Sequence, residues 1–161
     1  MRNLRKNLLF LAMSLSVCPV LGAASDAVIS VRDGFTLNPE SLIETSPYYA
    51  KVTESLGRPG LFEKSKILYL IGQIRSSSFE FERNGRIYTG SKAASHLMMK
   101  YGFAKDRVKT AEEFIQFIAS ESSETHKPYY VIDASGIRHK TQEVLVHELS
   151  LLERKLQHER L

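Results

Sequence analysis

The side chains of this chain with catalytic potential are few. It has five histidines, one cysteine and many serines. Nucleophilic catalysis needs a serine beside a base. Ser122 or Ser123 with His96 is the one pairing on offer, and no Gly-x-Ser-x-Gly elbow accompanies it. The alternative is that Ser120, Ser122 and Ser123 follow a helix and bond its last free carbonyls. His147-Glu148 opens like a zinc-protease helix, but the second histidine of that motif would fall at position 151, which is Leu151. His126, His139 and His158 belong to other segments, so His147 reads as a helical surface histidine and no metal or cofactor is expected. Anion binding is the remaining chemistry. Arg83 and Arg86 flank an Asn84-Gly85 turn that does not need them. Either they take a phosphate or carboxylate, or they pair across strands with Glu80 or Glu82.

These residues must be positioned by short elements. Phe79 and Phe81 alternate with Glu80 and Glu82, and Asn84-Gly85 supplies the positive-φ pair of a type I′ hairpin. A helix from Ser91 follows, with Ala94, Leu97, Met98 and Tyr101 as its apolar stripe and Gly102 expected to end it. His96 falls about 160° from that stripe, beside Lys92 and Lys100. It reads either as an ordinary exposed side chain or as part of a contact surface with Lys100. Thr110-Ala111-Glu112-Glu113 is a capping box, opening a helix that buries Ala111, Phe114, Ile115 and Ile118. Tyr129 to Ile132 reads as a third strand that pairs with the hairpin. Asp133 to Gly136 is a turn. Thr141 to Arg160 is the last helix, with Leu145, Leu149, Leu152 and Leu156 in one stripe.

Leu61 to Ser77 reads as the first long helix, with Ile67, Leu68, Ile71 and Ile74 at helical spacing, the alternative being a buried strand over Ile67-Leu68-Tyr69-Leu70-Ile71. Lys64, Lys66, Gln73 and Arg75 are placed on its solvent side and Gly72 is a weak point. Before it, Ser25 to Gly60 is a separate arm punctuated by turns. It holds one helix, with Ser46 as N-cap, Pro47 first and Gly57 past the end, and Tyr48, Val52 and Leu56 on one face. Residues before Ser41 read as loose. Residues 1–24 read as a signal peptide: Arg2, Arg5 and Lys6, an apolar run from Leu8 to Leu21, then Gly22-Ala23-Ala24, with cleavage after Ala24 or, alternatively, Ala23. A membrane anchor is the competing reading, disfavoured by the shortness of the run and by Ser14, Ser16 and Pro19. A lipoprotein at Cys18 is another, but Val17 stands where its lipobox wants a small residue. Removing the leader leaves 19 basic residues against 18 acidic ones, a net of +1 rather than +4. The basic residues are scattered, so a nucleic-acid binder is not indicated. The mature chain has no cysteine, and its fold must rest on its core.

Four strings stand together in order: Phe81-Glu82-Arg83-Asn84-Gly85; Ser95-His96-Leu97 with Lys100; Thr110-Ala111-Glu112-Glu113-Phe114-Ile115; and Ala119-Ser120 with Ser122-Ser123 and Lys127-Pro128-Tyr129. In this order they resemble the YfeK-like family of small exported bacterial proteins, over roughly Leu61 to Ile132. The resemblance implies an exported protein with one small domain, and no reaction. Some relatives carry cysteines near the positions of Phe79 and Asp133; this chain has neither.

The resulting expectation is an α+β fold: four main helices packed on a small antiparallel sheet made of the hairpin and one strand. The divisions are a leader 1–24, an arm 25–60 and a domain 61–161. The expected function is a periplasmic or secreted binding or interaction module without catalysis. Its partner would be an anionic ligand or an envelope protein, with no transmembrane segment left after leader cleavage. Arg83, His96, Lys100, Ser122, Ser123 and Lys127 are the candidate binding residues. The alternatives are a serine hydrolase using Ser122 or Ser123 with His96, and a structural envelope protein attached through its arm.

Overall fold

The computed structural model describes residues 35–158 of the chain. The leader with Cys18, residues 25–34 of the arm and the chain beyond His158 lie outside the described residues.

The fold class is α+β. Helix α1 (Pro47–Glu54) starts where Ser46, in extended conformation, accepts from the Tyr48 amide at 3.3 Å, with Pro47 in the first turn. Its buried face is Tyr49 and Val52, while Tyr48 and Leu56 are only half-buried. Helix α2 (Pro59–Ser76) is central and touches α1, α3 (Gly90–Ala104), α4 (Ala111–Phe114) and α5 (Thr141–His158). Ile67, Tyr69, Leu70, Ile71 and Ile74 are all essentially inaccessible, so the middle of α2 is buried nearly all round. Of the four residues expected on its solvent side, Lys64 and Arg75 are exposed, whereas Lys66 and Gln73 are not. Lys66 is buried, its ammonium 2.8 Å from Glu63, 3.2 Å from Glu153 on α5 and 3.9 Å from Glu112 on α4. Gln73 is also buried and accepts from the Asn38 amide at 2.7 Å. Gly72 is required: a Cβ there would lie 2.4 Å from the Tyr48 ring.

Strands β1 (Glu80–Arg83) and β2 (Arg86–Thr89) form the expected hairpin, with Asn84 at φ 52° and Gly85 at φ 75°. Strand β3 (Tyr130–Ile132) pairs antiparallel with β1, setting Phe81 opposite Val131. A fourth strand, β4 (Arg138–Lys140), was not expected; it pairs with β3 and sets His139 opposite Val131. The order is β2-β1-β3-β4. Phe81, Val131 and His139 make the buried face of the sheet, α3 packing on the hairpin and α5 on β3 and β4.

Helix ends also differ from expectation, although the arm helix and the four main helices are all present. Five α-helices are described, with a 3₁₀ turn (Glu40–Leu42) and a π-helix (Ile115–Ala119) continuing α4. Gly102 does not end α3. It keeps a helical backbone, and α3 stops at Ala104, whose carbonyl accepts from the amides of Arg107 and Val108 at 2.8 and 2.9 Å. Of the residues before Ser41, 35–40 are described, and they are packed rather than loose. Leu37 is 2% exposed and its amide donates to the buried Glu148 carboxylate at 2.6 Å, while Phe35 stacks on His139 with ring centroids 4.2 Å apart. No helix among the described residues is long and apolar enough to cross a membrane.

Candidate binding site

The hairpin and α3 enclose a cleft of about 230 Å³. Its position follows from local rules. Phe81 and Arg83 project from one face of β1, and Tyr88 from the same face of β2, because strand side chains alternate. On α3, Lys92, Ala93, His96 and Leu97 are spaced to share one side of the helix. Tyr129 and Thr141 close the cleft from the starts of β3 and α5, where the Thr141 amide bonds the Tyr129 carbonyl at 3.0 Å. The walls are therefore aromatic and apolar, with charge at the rim.

The Arg83 guanidinium reaches the His96 ring, Nη1 to Nδ1 at 3.4 Å. Arginine only donates, so Nδ1 must be the accepting nitrogen and the ring proton sits on Nε2. Both groups then keep an unspent donor. Arg83 Nε and His96 Nε2 are buried without a hydrogen-bond partner, as is the hydroxyl of Thr141, which is 2% exposed. Burial, and then the charges of Arg83 and Lys100, holds the imidazole below its ordinary value, with Glu124 pulling the other way. A neutral His96 beside a permanent cation suits an acceptor or an anion that takes up their unspent donors. Glu82, which also lines the cleft, is already neutralised by Arg138 at 3.0 Å. Arg138 lies over the Tyr130 ring as well, 4.1 Å from its centroid.

The structure divides the residues singled out in the sequence. Arg83 and His96 share the cleft. Arg83 forms no ion pair with Glu80 or Glu82 among the described residues, because Glu82 turns to β4 instead. Lys100 is spent on the chain. It donates to the carbonyls of Ile118 at 2.7 Å and Glu121 at 3.0 Å, closing the end of the π-helix, and it touches the Tyr129 hydroxyl at 3.4 Å. Burial and Arg83 lower its pKa. Ser122 is 1% exposed and accepts from the Asn84 side-chain amide at 3.3 Å; Thr125 donates to the Asn84 Oδ1 at 2.6 Å. These bonds lock the hairpin turn to the Ser120–Lys127 loop. Ser123 lines a different groove, and the Lys127 side chain is exposed on the loop. No serine bonds His96 among the described residues, so the Ser–His pair of a hydrolase is not assembled. Tyr88, Lys92, Tyr129 and Thr141 were missed as site residues. The aromatic alternation Phe81, Tyr88, Tyr129 was the available signal for three of the walls, whereas nothing local marks Thr141.

Comparisons with known proteins place the chain. Residues 62–153 match a family of unknown function (DUF5329), a span that holds every residue of the cleft. Over 90 residues the chain is 35% identical to "Uncharacterized protein YfeK" of Salmonella typhimurium (strain LT2), covering 55% of this chain and 69% of that protein. No solved structure matches. With more than half of its length inside the family match and a YfeK relative alongside, this chain belongs to DUF5329, a family of unknown function.

Proposed function

We propose that the protein is an exported binding module that holds a small amphipathic anion in the cleft between the hairpin and α3. The observation that carries this reading is the pair of buried, unspent donors on Arg83 and His96 at the mouth of an aromatic-walled cavity. A buried donor without an acceptor costs about 1–3 kcal/mol, which a bound carboxylate or phosphate oxygen would recover. The volume, below the range of about 300–1,000 Å³ usual for drug-sized ligands, favours a compact body of roughly one ring. Export is supported by the Arg2, Arg5 and Lys6 segment, the apolar run and Gly22-Ala23-Ala24.

Titration with benzoate, phenyl phosphate and benzamide, followed by NMR, tests the ligand reading. The two anions are expected to shift the Tyr88 and Tyr129 ring signals saturably, and the neutral amide is not. Arg83→Gln should weaken anion binding roughly 10- to 100-fold, the worth of a charge-assisted hydrogen bond. Equal binding of benzamide, or no shift at either ring, would refute the site. Export has its own test: mass spectrometry of the cell-envelope fraction should find Ser25, or failing that Ala24, as the first residue, and an intact Met1 in the cytosol would sink it.

A further inference from the structure

The end of α3 and the π-helix leave large apolar side chains in solvent: Phe103 is 83% exposed, Phe117 59% and Met99 54%. Met99 and Phe103 are four residues apart and stand on one face of α3. Between the two elements runs a groove of about 550 Å³ whose walls include Phe103, Val108, Phe117 and Ile118. Soluble monomers seldom bare an apolar patch of this kind without using it. The turn beside it is basic. Lys105, Arg107 and Lys109 are all exposed, Arg107 lines the groove itself, and Asp106 is the one acidic residue among them. Glu113 is occupied, its carboxylate accepting from the amides of Lys109 at 2.6 Å and Thr110 at 3.3 Å.

The charge selects the occupant. A second copy of the chain on this face would bring like basic rims together, because a twofold interface pairs a patch with itself. An anionic phospholipid surface answers both features: aromatic rings enter the boundary of head groups and acyl chains, and the cations meet phosphates. We infer that this face docks on an anionic membrane surface, with Phe103 and Phe117 as anchors and Lys105, Arg107 and Lys109 on the head groups. The inference does not depend on what the cleft binds.

Vesicle sedimentation with the leader-free chain tests it. Binding is expected to vesicles of phosphatidylglycerol mixed with phosphatidylcholine, to fall steeply with added salt, and to be lost on phosphatidylcholine alone. Phe103→Ser with Phe117→Ser should cut binding roughly tenfold or more at unchanged melting temperature, since both rings are exposed. Lys105→Glu with Arg107→Glu should do the same without touching an aromatic. Wild-type binding by either double variant, no binding to the anionic vesicles, or a concentration-dependent dimer dissolved by the phenylalanine changes would each overturn the inference.

Discussion

Arg83 on β1 and His96 on α3 meet at 3.4 Å, and the direction of that bond fixes the ring as a neutral acceptor at Nδ1. The contact joins hairpin to helix. It also makes the imidazole a reporter of the cleft. His96 titrates below its ordinary 6.5 because of burial first, and then Arg83 and Lys100. Arg83→Gln should therefore raise its pKa, and a bound anion should raise it in the wild type; ring NMR against pH checks both. The linkage has a definite sign. A histidine depressed in the fold contributes stability that is present above pH 6.5 and is lost as pH falls through the folded pKa. A pKa unchanged in Arg83→Gln would mean that the guanidinium does not act on the ring.

Glu148 should give the opposite slope. Its carboxyl is pushed up to about 7, chiefly by burial, with Glu40 adding to the rise and the Leu37 amide opposing it. An acid whose folded pKa lies above its unfolded 4.5 loses stability as pH rises from about 4.5 to 7. Glu148→Gln keeps an acceptor for Leu37 and removes the titration. The variant is expected to gain on wild type at pH 8, on the order of 3 kcal/mol, and to lose that advantage near pH 4.5. Denaturant midpoints at the two pH values decide it, and a gap that does not change with pH would show that Glu148 is not the titrating group.

Two glycine substitutions should move stability in opposite directions. Gly72→Ala drives a methyl to within 2.4 Å of the Tyr48 ring and should cost about 1–3 kcal/mol by separating α1 from α2. Gly102→Ala meets nothing within 4 Å inside a regular stretch of α3 and should gain about 0.5–1 kcal/mol. Equal effects would contradict this account of the α1–α2 contact.

Thr110→Ala should cost about 1 kcal/mol. The capping box is formed, with the Glu113 amide donating to the Thr110 hydroxyl at 3.2 Å and the Thr110 amide donating to the Glu113 carboxylate at 3.3 Å. Thr110→Ser keeps the acceptor and should lie close to wild type. A midpoint equal to wild type in Thr110→Ala would show that the cap is dispensable.

What could be read in the chain beforehand was governed by local chemistry. Asn84-Gly85 dictates its own turn, Ser46-Pro47 and Thr110-Glu113 dictate their own helix starts, and the leucine stripe of α5 needs no partner to be seen. Strand β4 was hidden because Arg138-His139-Lys140 has no β-branched or apolar residue; it is a strand only because β3 offers it an edge. Lys66 and Gln73 were assigned to solvent by residue type, yet α2 is surrounded by other helices and pairs its polar groups inside. The cleft was half legible. Arg83 and His96 stood out as side chains with no structural duty in the turn or the apolar stripe. Lys100 and Ser122 carried the same signal, but their bonds reach carbonyls and an amide that lie 18 to 38 residues away in sequence.

The packing of the chain's first described residues bears on how the protein can be cut. Leu37, Ile43, Tyr49 and Val52 are all at most 4% exposed, as is Leu156 near the other end. All five lie outside residues 62–153, the stretch the family shares. A gene fragment trimmed to that stretch would strip α1 from α2 and take the Leu37 amide from the Glu148 carboxylate, and it should be less stable than the chain that keeps the arm. The segment that heredity makes recognisable is shorter than the segment that closes the core, so a recombinant fragment needs its boundaries drawn by burial, starting no later than Phe35 and ending no earlier than Leu156.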